Sequence, residues 1–176
     1  ILRNTSEILR EGKEGKLIMA AYLICLIVGY FCGCISTGYF VGKFYHMDIR
    51  TKGSGNAGTT NVLRNLGKLP ALITFVGDLA KAIVPILVIR LAFAPEQWYL
   101  WCLYCGLGVV LGHNYPFYLK FKGGKGIAVL AGLVLSTKLW MVPIPLAAFI
   151  FVVAVTRYVS AGSLLVTIIF LAEVIC

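Results

Sequence analysis

The chain has 176 residues, 60% of them hydrophobic and only 13% charged, and its mean hydropathy is +0.90. Apolar runs recur along its whole length, which excludes a soluble protein carrying one cleaved signal peptide. A net charge of +9 would suit nucleic acid. However, the bases sit in short polar stretches beside apolar runs and no nucleic-acid module is recognisable, so they read as membrane topology and anion binding, with no nucleic-acid partner.

Residues 1–16 are mixed in charge and predict a short amphipathic or disordered lead-in. The sequence starts at Ile1 rather than Met, as a chain lacking its natural N-terminus would. From Leu17 to Gly42 no residue is charged, enough for a helix to cross a hydrocarbon layer about 30 Å thick, and the first span is read over 17–42. Loop one, 43–68, carries Lys43, Arg50, Lys52, Arg64 and Lys68. The second span, 69–93, holds Asp78 and Lys81 at i,i+3, where they share a helix face and can pair. A tight turn at 94–97 contains Pro95 and Glu96, and a short aromatic and glycine-rich third span covers 98–112.

Loop two, 113–125, contains His113, Asn114, Pro116, Lys120, Lys122 and Lys125. Residues 126–156 are apolar except for Lys138. As one helix they would measure about 46 Å, too long for an ordinary span, so a break is expected near Ser136–Lys138 with a first piece of half membrane depth. Loop three, Arg157 to Gly162, is minimal, and a last span runs to the end. The expected fold is an all-α polytopic membrane protein of about six to seven transmembrane helices, some half-length. Its residues 17–176 form a single domain with three short motif loops.

With these breaks the three loops fall on one side and carry nine Lys/Arg (five, three and one), against Arg90 and Lys138 opposite. The positive-inside rule puts the loops in the cytoplasm, although the four bases before position 17 count against it. Cys25, Cys32, Cys34, Cys102, Cys105 and Cys176 all lie in apolar runs. Cys102-x-x-Cys105 resembles half a zinc knuckle without its second half, so the cysteines read as small packing residues, and no metal or other cofactor is expected.

The most informative stretch is Gly53-Ser54-Gly55-Asn56-Ala57-Gly58-Thr59-Thr60-Asn61-Val62-Leu63-Arg64. Glycine lets main-chain N–H groups approach an anion, short hydroxyl and amide side chains add neutral donors, and arginine supplies a charged fork. A second such segment is Lys120-Phe121-Lys122-Gly123-Gly124-Lys125-Gly126. Two phosphate-type loops in a membrane protein predict a site for phosphorylated substrates at the bilayer surface.

Three patterns carry a resemblance: GSGN-x-G-x-TN-x-x-R at 53–64, GHNYP…FKGGKG at 112–126 and RYVS at 157–160, with Asp78-x-x-Lys81 between the first two. In these, from about residue 24 onward, the chain resembles the bacterial acyl-phosphate:glycerol-3-phosphate acyltransferases, the PlsY family. It departs from the family at Thr59, where Ala is usual, and at Ala82, where Gly is usual. Family members commonly continue through another apolar helix where this sequence ends at Cys176, which points to a truncated C-terminus.

The resemblance implies attack by the 1-hydroxyl of glycerol 3-phosphate on the carbonyl of a fatty acyl phosphate, releasing inorganic phosphate and lysophosphatidic acid. It implies a multi-pass protein of the bacterial cytoplasmic (inner) membrane, in contact with lipid, with its site facing the cytoplasm. It says nothing of oligomeric state. Ser54, with the N–H groups of Gly55 and Asn56, is expected to cradle the acyl phosphate, and Thr60, Asn61 and Arg64 to complete that subsite. The competing reading is a glycine turn whose polar side chains cap the next helix. Lys122 and Lys125, flanking Gly123 and Gly124, are expected to hold glycerol 3-phosphate, unless the lysines only set orientation and attract anionic lipid.

His113 is expected in the site, beside the polar Asn114, as either a general base or an orienting donor. An acyl phosphate carries basic oxygens of its own, so substrate-assisted proton removal stands as an alternative. Ser160 is expected to donate to a phosphate or the oxyanion, against the plainer reading of a helix N-cap. Arg157 anchors a helix end, and Asp78 with Lys81 supports the site. Position 118 is Tyr, so the His-x4-Asp dyad of soluble-type acyltransferases is absent, and no Gly-x-Ser-x-Gly elbow appears. The rival functions are a small transporter of an anionic solute, for which an internal repeat would be expected, and a structural or assembly membrane protein.

Overall fold

The computed structural model describes residues 5–92, 98–137 and 139–175, with the side chains of residues 12–92, 98–137 and 139–172. The expected turn at Pro95 and Glu96, the break residue Lys138, Cys176 and the first four residues lie outside that range. Eight α-helices account for most of the described residues. They are α1 (Thr5–Cys34), α2 (Thr37–Phe44), α3 (Thr59–Leu66), α4 (Lys68–Ala92), α5 (Trp98–Asn114), α6 (Ile127–Thr137), α7 (Pro143–Thr156) and α8 (Val159–Ile175). Short 3-10 turns at Ile49–Thr51, Phe117–Leu119 and Leu139–Met141 link them.

Three stretches are long and apolar enough to cross a membrane, Gly12–Phe44, Lys68–Ala92 and Leu139–Thr156. Leu23, Ile24 and Ile27 on α1, Leu87, Val88 and Leu91 on α4, and Ile150 and Phe151 on α7 are all exposed, the outward apolar surface that lipid rather than water would meet.

Two sequence expectations about the first span change. The segment 1–16 does not form a separate element where described, because helix α1 already begins at Thr5. The span over 17–42 is broken at Ile35–Ser36, where α1 gives way to α2. Such a break leaves main-chain groups without helical partners, and here side chains from the Phe117–Leu119 turn and from α4 supply them. Tyr118 Oη donates to Cys34 O (2.8 Å) and accepts from Ser36 N (3.3 Å), while Lys81 Nζ donates to Ile35 O (2.8 Å). The break expected near Ser136–Lys138 is found there: α6 ends at Thr137 after only 11 residues, about 16 Å of rise, and α7 starts at Pro143.

Helices α1 and α5 form the most closely packed pair of the bundle. Gly29 and Gly33 on α1 lie against the carbonyls of Cys105 and Val109, and Gly108 and Gly112 on α5 lie against those of Leu26 and Tyr30. Each pair is a Gly-x-x-x-Gly, so the smooth faces of both helices meet backbone to backbone with no room for a Cβ. Beside this seam Ile86, Cys102, Cys105, Val109 and Val129 are fully buried and join α4, α5 and α6 in one core. Gly162 of α8 is covered by Phe149 and Val153 of α7, so these two helices pack as a hairpin turned by Arg157 in the left-handed region (φ 60°).

Candidate functional site

One end of the bundle holds a cavity of about 510 Å³, and all three motif segments reach it. Ser54, Asn56, Thr60, Asn61 and Arg64 line it from the first, Lys125 from the second, and Arg157 and Ser160 from the third. Asp78 of α4 and His113 of α5 lie at its inner end. Of the residues expected in the site, Gly55, Lys81, Asn114, Lys122, Gly123 and Gly124 do not line it.

The shape of the first segment depends on Asn61, a buried residue of α3. Its Oδ1 accepts from Ser54 N (3.0 Å) and Asn65 Nδ2 (3.1 Å), and its Nδ2 donates to Ile49 O and Lys52 O (3.0 Å each). The amide is therefore fully used inside the protein. Gly55 N–H donates to Lys52 O (3.0 Å), and Gly55 supplies the left-handed turn (φ 71°) that brings the chain back towards α3. Of the two N–H groups expected to face a phosphate, only that of Asn56 has no hydrogen bond among the described residues.

The residues after Gly58 are helical rather than loop, which sets Thr60 and Arg64 one turn apart on one face of α3. The N-cap of α3 is Gly58, with no side-chain cap. The polar side chains of this segment are thus not consumed in capping, as the plainer sequence reading would have it. Ser160, in the first turn of α8, makes no hydrogen bond through its hydroxyl among the described residues and lines the cavity, again unlike a capping serine.

His113 and Asn114 belong to the last turn of α5 and not to a loop. Gly123 N–H and Gly124 N–H donate to Asn114 O and His113 O (3.0 Å each), closing that helix end. A Cβ on Gly124 would run into the His113 ring and one on Gly123 into His113 O, so the glycine pair is required for close approach, with its donors already spent. Lys125 comes immediately after this splice and reaches the cavity, whereas Lys122 is exposed away from it.

Helices α3, α6 and α8 all begin at the cavity, since Thr59 and Thr60, Ile127 and Ala128, and Val159 and Ser160 are in its wall. Each start contributes unpaired N–H groups and the positive end of a helix dipole. Arg64, Lys125 and Arg157 add three formal charges, and Asp78 is the one carboxylate in the lining. The arrangement suits an anion, more so one bearing several phosphate oxygens. Phe75, Ile127 and Phe149 give the same space an apolar side.

Beneath the cavity Lys81 Nζ lies 2.9 Å from Asp78 Oδ1 and 2.7 Å from His113 Nδ1. The i,i+3 pair read from the sequence is thus present, and it extends to α5.

Two contributors were not foreseen. Arg50 grips Asp48 through Nε (3.0 Å) and Nη2 (2.8 Å), donates Nη1 to Leu119 O (3.3 Å) and lies over the Tyr39 ring at 4.8 Å. It ties loop one to the second motif segment, and its hydrogen bonds hold the Asp48 carboxyl below the usual carboxylate range. Ser163 lines the cavity one turn after Ser160, a spacing visible in the sequence once α8 is known to start at Val159.

A family profile for glycerol-3-phosphate acyltransferase matches residues 23–176. The glycerol-3-phosphate acyltransferase of Clostridioides difficile (strain 630) is 45% identical over 148 residues, covering 81% of this chain and 72% of the relative. That of Thermus thermophilus is 44% identical over 150 residues, covering 83% and 72%. Two crystal structures of PlsY (YgiH), an integral membrane glycerol 3-phosphate acyltransferase, superpose with a TM-score of 0.77 each. The glycerol 3-phosphate form is 35% identical and covers 84% of this chain and 73% of that one; the lysophosphatidic acid form is 34% identical and covers 88% and 76%. The convergent motif cavity, the all-helical membrane architecture and these likenesses agree, and the chain belongs to the glycerol-3-phosphate acyltransferase family.

Proposed function

We propose that the chain transfers a fatty acyl group from acyl phosphate to the 1-hydroxyl of glycerol 3-phosphate at the cytoplasmic face of a bacterial inner membrane. The observation that carries this reading is the meeting of three cations and three helix starts in one cavity with an apolar side. Two phosphate-bearing reactants need about that much positive field, and the acyl chain needs the apolar wall. The excess of Lys/Arg in the three motif segments supports a cytoplasmic orientation.

In this reading Ser54, Asn56 N–H, Thr60 and Arg64 hold the acyl phosphate, while Lys125 and the start of α6 hold glycerol 3-phosphate. Asn61 and Gly55 act by shaping the first segment. Gly123, Gly124 and Asn114 act by fixing where Lys125 emerges. The hydroxyl oxygen bonds to the acyl carbonyl carbon and the carbon–oxygen bond to phosphate breaks. Lysophosphatidic acid and inorganic phosphate form, with the hydroxyl proton ending on the released phosphate or on solvent. Ser160 and the α8 N–H groups are the fixed donors for the oxygen that gains charge as the carbonyl is attacked. Arg157, set by the left-handed turn before α8, adds a third cation, and Asp78 with Lys81 supports His113 from below.

The test is turnover of the purified protein in detergent with glycerol 3-phosphate and, separately, acyl phosphate or acyl-CoA. Lysophosphatidic acid from acyl phosphate alone is the expected result. Product from acyl-CoA, or from neither donor, rules the reading out.

A further inference from the structure

We propose that Lys81 is a positioning residue that fixes His113 as the Nε2–H tautomer. Lys81 is 7% exposed, Asp78 1% and His113 4%, so water does not satisfy this group and its partners must come from the protein. Around Lys81 Nζ stand three: Ile35 O at 2.8 Å, Asp78 Oδ1 at 2.9 Å and His113 Nδ1 at 2.7 Å. A carbonyl and a carboxylate can only accept, and an ammonium has three donors and no acceptor. A Lys81 kept charged by the Asp78 carboxylate beside it turns an N–H to Nδ1, which then presents its lone pair.

Two alternatives fail on geometry. Nδ1–H donating to Asp78 would have to span 3.7 Å past the nearer lysine nitrogen. A doubly protonated ring would direct an N–H at an ammonium 2.7 Å away. With Nδ1 accepting, the ring proton resides on Nε2, as happens wherever one imidazole nitrogen is engaged by a fixed partner. Nε2 makes no hydrogen bond among the described residues and lies on the side of Gly124, while His113 as a residue is part of the cavity lining. The ring cannot swing away, because Gly124 lies against it and Gly112 seats the preceding backbone on α1. Lys81 also holds the α1–α2 break through Ile35 O, so one side chain sets both the first motif's approach and the histidine's polarity.

The tautomer follows from contacts that do not involve substrate. That His113 then serves acyl transfer as a donor to an anionic oxygen, and not as a proton acceptor, rests on the proposed function. The test reads the ring directly. The full chain is prepared in lipid nanodiscs with 15N-labelled histidine in a His46→Asn background, since the sequence has two histidines and His46 is exposed with φ 55°, a backbone asparagine accepts. Near neutral pH, Nε2 is expected in the protonated range with a resolved one-bond proton coupling, and Nδ1 in the lone-pair range. In Lys81→Met, Nδ1 should leave that position as the ring takes up the other tautomer or a mixture, and Lys81→Arg should restore it. A wild-type ring that is Nδ1–H or imidazolium overturns the proposal whether or not the methionine variant folds. An unchanged Nε2–H ring in folded Lys81→Met overturns the role of Lys81. Neither outcome depends on whether the protein makes lysophosphatidic acid.

Discussion

Asn61 Oδ1 accepts the main-chain N–H of Ser54 at 3.0 Å, so a side chain on helix α3 sets the curvature of the loop that precedes it. The same amide donates to Ile49 O and Lys52 O, which makes Asn61 the internal support of the first motif segment. Asn61→Asp would keep the acceptor and lose both donors. With each net hydrogen bond worth about 1 kcal/mol and a buried charge added, a loss of about 2–4 kcal/mol is expected. Thermal unfolding in detergent, followed beside acyl transfer, checks it; an Asp variant with wild-type stability would remove Asn61 from this role.

Gly33 and Gly112 lie in the seam where α1 meets the backbone of α5. Gly33→Ala or Gly112→Ala must push the helices apart, and a cost of about 2 kcal/mol or more is expected for each, on the scale of overpacking in a close-packed interior. His113 sits directly after Gly112, so activity should fall further than folded yield. Size-exclusion recovery against specific activity separates the two effects.

Lys125 lines the cavity and is exposed, whereas Lys122 is exposed away from it. Replacing Lys125 by Ala should lower kcat/KM for glycerol 3-phosphate by about ten- to hundredfold, the worth of one charge-assisted contact, with Tm unchanged. Lys122→Ala should have a smaller effect. Equal losses from the two would contradict the placement of the second segment.

Free inorganic phosphate should inhibit by occupying the cationic cavity formed by Arg64, Lys125 and Arg157. Inhibition should weaken in Arg64→Ala. Initial rates across millimolar phosphate measure this, and indifference of the wild type would count against a phosphate-shaped site.

Asp48 has its carboxyl lowered from 3.8 by Arg50, so its ion pair stabilises the fold above that value and is lost as pH falls through the lower folded-state pKa. The pair is partly exposed, and about 1 kcal/mol or less is at stake. Below about pH 4 the wild type should therefore lose stability relative to Asp48→Asn, while above it the wild type should be the more stable. A pH series of Tm values for both proteins decides it, and parallel curves would show that the clamp contributes nothing.

Much of this could be read in the chain before any fold was known. Apolar runs fixed the class, because nothing but lipid is a good solvent for such surface. The excess length of 126–156 demanded a break, and α6 stops at Thr137. That Ser54, Arg64, Lys125 and Ser160 would gather at one place was legible because glycine, hydroxyl and cationic residues at membrane edges suit anion binding. Boundaries read less well. Thr60, His113 and Ser160 read as loop residues and are helical, since a polar segment at the end of a span looks the same whether it frays or continues.

Composition and local pattern determined that this protein is helical, membrane-embedded and equipped with glycine-rich, cationic segments, because those properties depend on each residue's own solvation and charge. Only the tertiary structure decided which donors remain for a ligand. Gly55 and Gly124 N–H groups are consumed by carbonyls of Lys52 and His113, and Lys81 meets His113 and Ile35 O as well as the Asp78 of its own helix. A hydrogen-bonding group can be spent only once, and whether it is spent depends on neighbours far away in sequence.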